Sequence, residues 1–170
     1  GDVRNSSIEE MEMKAPILLD SLEMRRDSGG PGQFRGGLGS TIHVRNLTEG
    51  RWNLNRPKRQ KCLPWGLKGG LEGEAGAKLL KIPTDAEYTD VNVSRHLVPA
   101  QAQVILHAGS GGGWGNPLER EPEQVRWDVI EGLVTPDAAK ARYGVVLKGE
   151  DIDLAATTSL RREMTAARSR

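Results

Sequence analysis

A single cysteine, Cys62, is all the thiol chemistry in these 170 residues, and it excludes an internal disulfide. A chain with no covalent staple suits a reducing compartment, so a cytoplasmic setting is expected. Cys62 has no histidine or acid beside it in sequence to activate it. The expectation is a small buried apolar side chain, not a nucleophile. Aromatics are scarce too, with four Trp, two Tyr and one Phe, which leaves little material for a base-stacking platform. Charge of one sign is missing: 24 Lys and Arg stand against 23 Asp and Glu, so no strong field favours nucleic acid or an anionic membrane. The basic run Arg56-Pro57-Lys58-Arg59-Gln60-Lys61 reads as an anion contact or, more simply, as a solvated loop. No apolar run is long enough for a membrane span, and no secretory signal opens the chain. The start at Gly1-Asp2, without Met, reads as a fragment, a processed piece or a trimmed one.

Metal and acid–base chemistry are equally thin. The three histidines, His43, His96 and His107, are scattered, and no HExxH or CxxC spacing occurs. His43 falls on the polar side of a strand pattern, and His96 falls in loop-like sequence. His107 is the interesting one, because it leads directly into a glycine run. Glu9-Glu10 and the pair Glu119 and Glu121 sit in polar, turn-like sequence that suits solvated carboxylates. GxSxG is absent as well. Composition and spacing therefore supply no complete catalytic set.

Glycine is what the chain has in quantity, 21 residues of it. The densest run, Gly109-Ser110-Gly111-Gly112-Gly113-Trp114-Gly115, follows the apolar stretch 103–108 and precedes Asn116-Pro117. Backbone without Cβ atoms admits close approach by a phosphate, another anion or another backbone. The run is not a P-loop, which needs GxxxxGK[ST] opening straight into a helix. A ligand or partner loop and a structural crossing both remain open readings.

Turn signals dominate residues 1–100. A short helix or an approach segment at 8–13 is stopped by Pro16, and alternation predicts strands at 21–27 and 39–46, with further strands at 78–82 and 103–108. Residues 56–76 read as a long irregular loop, expected to be ordered by packing against a partner. Beyond 120 the character turns helical. Pro122 opens one helix with Val125, Val129, Ile130 and Leu133 on one face and Gly132 as its terminator. Thr135-Pro136-Asp137 opens a second, which Gly144 ends. Residues 145–147 predict a strand, and Asp151 or Asp153 caps a last helix through Leu154, Leu160 and Met164. The fold class is therefore α+β: a β-rich body of mainly antiparallel strands with long Gly-rich loops over 1–120, then a helical tail over 121–170, expected as one structural unit and a part of a larger subunit.

Four motifs in order carry a resemblance to a known family. They are Gly1-Asp2-Val3-Arg4-Asn5 with Ile8-Glu9, the run 26–39 (RDSGGPGQFRGGLG), the run 64–70 (PWGLKGG), and the run 110–120 (SGGGWGNPLER). Residues 129–134 with Ala138 and 143–147 extend the likeness. Together they resemble the C-terminal third of the B-type subunit in the hydantoinase B/oxoprolinase family. The resemblance implies a hetero-oligomeric, ATP-dependent machine. In such a machine ATP is bound by an A-type subunit, which phosphorylates a lactam or ketone oxygen, and the B-type subunit handles the activated substrate. Hydantoinase and oxoprolinase members hydrolyse a cyclic amide; acetone and acetophenone carboxylase members carboxylate the activated enol. It also implies that ATP and a divalent metal are held by other chains, and that the metal ligands lie N-terminal to the part matched here. No metal ligand or catalytic residue is carried over. Substrate or phosphate contacts would fall to His107, to the amides of Gly111, Gly112 and Gly113, and to Arg26, Asp27 and Arg35. Arg35 would grip a carboxylate or phosphate, or pair with Asp27. The implied partners are the remainder of the B-type subunit and an A-type subunit, with no nucleic acid or membrane. An ATP-dependent ketone carboxylase and a non-catalytic assembly domain are the alternatives.

Overall fold

In chain order the elements are α1 (Ile8–Lys14), β1 (Ile17–Met24), β2 (Ser40–Asn46), β3 (Gly50–Leu54), β4 (Ala77–Lys81), β5 (Thr89–Asp90), β6 (Val93–Val98) and β7 (Gln103–His107). Then follow α2 (Pro122–Ile130), α3 (Pro136–Tyr143), β8 (Leu147–Lys148), β9 (Asp151–Ile152) and α4 (Leu154–Arg168). The structure, a computed structural model, describes residues 7–55 and 62–168. The motif Gly1-Asp2-Val3-Arg4-Asn5 and the basic run from Arg56 to Lys61 lie outside the described residues. The class is the expected α+β: antiparallel sheets with helices toward the C-terminus.

Two compact units divide the chain, and neither follows the linear split at residue 120. The first takes the described residues of 1–23, 40–58 and 76–108; the second takes those of 24–39, 59–75 and 109–170. The chain therefore alternates between them along its length.

The first unit is built on a five-stranded sheet in the order β1-β2-β7-β4-β5. β7 sits at its centre, antiparallel to β2 from Thr41↔His107 to Arg45↔Gln103 and to β4 from Ala77↔His107 to Lys81↔Gln103. Alternation along β2 and β7 sends Val44 and Val104 inward, where they meet Leu54, Leu80, Val98 and Ala102. Each of the valines and leucines contributes about 1.5–3 kcal/mol by leaving water. β1 begins earlier than the sequence pattern indicates: Ile17 and Leu19 pack on this core, while Leu22 and Met24 are exposed. A second antiparallel pair, β3 with β6, carries His96 opposite Trp52, so His96 lies on a strand and not in a loop. The pairing slips between Trp52 and Leu54.

In the second unit the start and stop signals act as written. Thr135 accepts a hydrogen bond from the Ala138 amide at 3.1 Å, Pro136 occupies the first turn of α3, and Gly144 closes it at φ +63°. α2 ends at Ile130, so Leu133 lies beyond the helix and not on its face. Val125, Val134, Ala138, Ala139, Tyr143 and Val145 form the buried core. Val145 is thus a core residue before the hairpin β8–β9, and the expected strand at 145–147 shrinks to Leu147–Lys148. Asp153 caps α4 by accepting from the Ala156 amide at 3.0 Å, whereas Asp151 belongs to β9. α4 runs through Leu154, Leu160 and Met164 as expected, with Leu154 exposed.

Candidate functional site: a crossing of glycine backbones

Three glycine-rich segments of the second unit, at 28–37, 64–73 and 109–115, lie directly on one another and are tied by main-chain hydrogen bonds. The Gly30 amide donates to Gly111 O at 2.8 Å, and the Gly111 amide donates to Gly37 O at 2.8 Å. Leu71 donates to Pro31 O at 2.7 Å, Gly113 to Leu71 O at 2.9 Å, and Leu67 to Gly113 O at 2.9 Å. Phe34 and Trp114 exchange a reciprocal pair at 2.9 Å each. Backbones this close leave no room for side chains. A Cβ on Gly112 would overlap the Trp65 carbonyl, and one on Gly113 would overlap the Pro31 carbonyl. The same clash would arise between Gly36 and the carbonyl of Gly111, while a Cβ on Gly32 would stand 2.6 Å from the Trp114 nitrogen. The segments carry glycine because their neighbours are other backbones of the same chain. The loop expected to be ordered by a partner is, over 64–73, ordered by the chain itself.

Ser110 pins the crossing from one side. Its hydroxyl donates to Ser28 O and accepts from the Glu74 amide at 2.7 Å. Ser28, itself buried, accepts from the Gly39 amide at 3.0 Å and donates to Arg25 O at 2.6 Å. A buried ion cluster holds the first segment as well. Asp128 of α2 receives Arg120 Nη2 at 2.9 Å, Arg35 Nη2 at 3.3 Å and Arg35 Nε at 3.4 Å. Arg35 also donates to Gly36 O at 3.1 Å, and Arg120 donates to Gln33 O at 3.1 Å. One carboxylate thus gathers two guanidiniums that hold the first glycine segment by its carbonyls. The Nε of Arg120 is buried without a partner. Tyr143 lies in the same interior, and burial pushes its phenol up to about 12, against the opposing pull of Arg120 and Arg35. Burial also lowers the basicity of Arg161, whose guanidinium donates to Tyr143 O at 3.1 Å and Arg120 O at 2.7 Å.

The residues singled out from sequence separate accordingly. Arg35 pairs with Asp128 and not with Asp27, 93 residues being crossed by one ion pair. Asp27, at φ +60°, accepts from the Thr135 amide at 2.8 Å, and its carbonyl receives Arg142 Nη1 at 2.6 Å. Arg26 Nε donates to Gly132 O at 2.8 Å, so Arg26 and Asp27 together clip the α2–α3 connection. The amides of Gly111 and Gly113 are committed to carbonyls of their own chain, which does not fit a phosphate cradle. His107 belongs to the first unit, where its Nδ1 and the Thr41 hydroxyl share a hydrogen bond of 2.9 Å across β2 and β7. Cys62, expected inside, is exposed. Among the described residues no group of three His, Cys, Asp or Glu is placed to hold a metal ion. Among them, too, no helix is long and apolar enough to cross a membrane. Sequence reasoning missed Asp128, whose partner Arg35 lies 93 residues away, and Glu74, whose carboxylate takes Arg25 Nη2 at 2.6 Å from 49 residues away. The only signal available was an acid amid the polar positions of an otherwise ordinary helix.

An antiparallel sheet in one unit and interlocked glycine segments in the other are the features by which this α+β chain compares with known proteins. The profile described as hydantoinase B/oxoprolinase matches residues 1–117, and the chain belongs to that family. Among its relatives is a Pseudomonas sp. (strain NS671) protein named as the B component of a D-/L-hydantoinase, 35% identical over 95% of this chain. The crystal structure of the ATP-dependent caprolactamase from Pseudomonas jessenii superposes with a TM-score of 0.73 at 31% identity, covering 93% of this chain and 28% of that one. Nucleotide-free acetone carboxylase shares the fold at a TM-score of 0.78 and 21% identity, over 96% of this chain and 26% of that one. The chain spans 28% of the length of the hydantoinase and caprolactamase components it matches.

Proposed function

We propose that this chain is the C-terminal portion of a B-type subunit in an ATP-dependent cyclic-amide amidohydrolase, acting on hydantoin- or oxoproline-type lactams. Its own contribution is a rigid scaffold. The observation that carries the reading is the 34–35% identity, across more than nine-tenths of this chain, to proteins named as the B component of a hydantoinase and the beta component of a caprolactamase. The relation to the alpha component of acetone carboxylase is more distant, at 25% identity.

A lactam is a stable amide, and phosphorylating its oxygen would supply a leaving group and an electrophilic carbon. The catalytic demand is then positioning and charge stabilisation. This chain's part is to hold geometry. The Arg35–Asp128–Arg120 cluster fixes the first glycine segment to α2, and Ser110 fixes the third to residues 28 and 74. ATP and the divalent metal belong, in this reading, to an A-type subunit and to the remainder of the B-type subunit, in a cytoplasmic hetero-oligomer. Arg26, Asp27, Arg35 and the glycine run serve the reaction from behind, and His107 stands at the end of the strand that leads into that run.

The test is ADP release by the assembled complex offered hydantoin, oxoproline or caprolactam, and in parallel ketones with and without bicarbonate. ADP formed with ring opening of a lactam is the expected result. ADP formed only with a ketone plus bicarbonate would replace the hydrolase with the carboxylase.

A further inference from the structure

The glycine crossing displays an apolar ridge. Phe34 is bridged antiparallel to Trp114, and Trp114 is bridged in parallel to Leu67. Residues directly opposite across adjacent strands send their side chains to the same face, so the three stand in a row with Trp114 in the middle. The Phe34 and Trp114 rings pack at 5.5 Å between centroids, tilted 55°. All three remain open to water: Phe34 is 59% exposed, Trp114 45% and Leu67 57%. Trp65, in the same segment as Leu67, is 74% exposed. This chain has one phenylalanine and four tryptophans, and it places the Phe and two of the Trp here, on the outside. Aromatic side chains bring large area and low conformational cost, and they concentrate at the centres of interfaces.

We infer that the Phe34–Trp114–Leu67 ridge is the docking face for the remainder of its own B-type subunit. The inference rests on the B-type reading above and names the surface at which the two parts meet. Two observations select this occupant. Relatives that match the chain from end to end are more than three times its length, since it spans 28% of them, so most of such a subunit lies outside these residues. The ridge also stands where main-chain bonds from three segments of the second unit converge. A rigid apolar ridge suits a permanent neighbour, as obligate interfaces resemble a domain core cut in two.

Hydroxyl-radical footprinting of the full-length B-type subunit carrying this sequence tests the assignment. Rings as open as they are here would oxidise only about two-fold more slowly in the folded subunit than in urea, given their fractional exposure. Docking predicts at least ten-fold slowing at Phe34 and Trp114, present before any A-type subunit is added and unchanged by dilution. Two-fold slowing overturns the inference. So does protection that appears only with the A-type subunit, or protection that is lost on dilution, which would mark a second copy as the occupant. The result is separable from the activity. A protected ridge in a complex that opens no lactam keeps the docking face and removes the amidohydrolase, and an open ridge in an active complex does the reverse.

Discussion

Two glycines of the crossing, Gly112 and Gly37, make a matched pair of perturbations. Neither has a φ in the left-handed region, so alanine is allowed at both as far as the backbone angle is concerned. They differ in what a methyl group would meet. At Gly112 it meets the carbonyl of Trp65, and at Gly37 it meets nothing within 4 Å. Overpacking of one methyl against unyielding atoms costs about 1–3 kcal/mol. Loss of backbone freedom in the unfolded chain returns about 0.4–1 kcal/mol in either variant. Gly112→Ala is therefore expected to lose about 1–2 kcal/mol net, and Gly37→Ala to gain a few tenths up to about 1 kcal/mol. For a protein of this size a kcal/mol moves Tm by about 2–4 °C. Scanning calorimetry or urea unfolding of wild type and both variants then shows a drop of about 2–8 °C for Gly112→Ala and a small rise for Gly37→Ala. Equal stability of Gly112→Ala and wild type would refute the claim that glycine stands there because another backbone occupies its Cβ site. Equal damage by both substitutions would refute it as well.

Other consequences follow from the same unit. Asp128→Ala leaves the Arg35 and Arg120 guanidiniums buried and facing each other, and urea unfolding should record a loss of about 3–5 kcal/mol; a loss below 1 kcal/mol would mean the cluster is solvated. Tyr143 retains its proton in the folded state up to about 12, whereas the unfolded phenol ionises near its ordinary value of 10.0, so its contribution is complete below pH 10 and falls away as pH rises toward 12. Wild type should thus lose about 2 kcal/mol more than Tyr143→Phe between pH 9 and 12, and parallel pH profiles would contradict the burial argument. Thr135→Ala removes the cap of α3 and should cost about 1 kcal/mol, read as a lower urea midpoint at unchanged slope.

Local chemistry was legible in the sequence, and non-local chemistry was not. Thr135, Pro136 and Gly144 each act within one helical turn, and the helix they delimit runs as the sequence indicates. The alternation of Ile42 and Val44 likewise marks β2 because period 2 is a property of the strand itself. β6 escaped because Ser94, Arg95 and His96 interrupt its apolar residues and all three are exposed. The glycine runs announced a close approach but not what approaches. That neighbour proved to be two further glycine runs, and no periodicity encodes a match between segments tens of residues apart. The pairing of Arg35 with Asp128 was hidden for the same reason: Arg35 called for an anion, and Asp27 stands far nearer along the chain than Asp128 does.

The central claim is that these glycine segments are closed on one another by the chain's own hydrogen bonds before any ligand arrives. Amide hydrogen exchange resolved at Leu67, Gly111, Gly113 and Trp114 tests it most directly, in the absence of nucleotide and lactam. Their bonds to Gly113 O, Gly37 O, Leu71 O and Phe34 O predict exchange slowed at least a hundred-fold relative to an unstructured chain, and no further slowing when ATP is added. Free-chain exchange at these amides that becomes slow only with nucleotide would contradict the account and make the run a ligand loop after all.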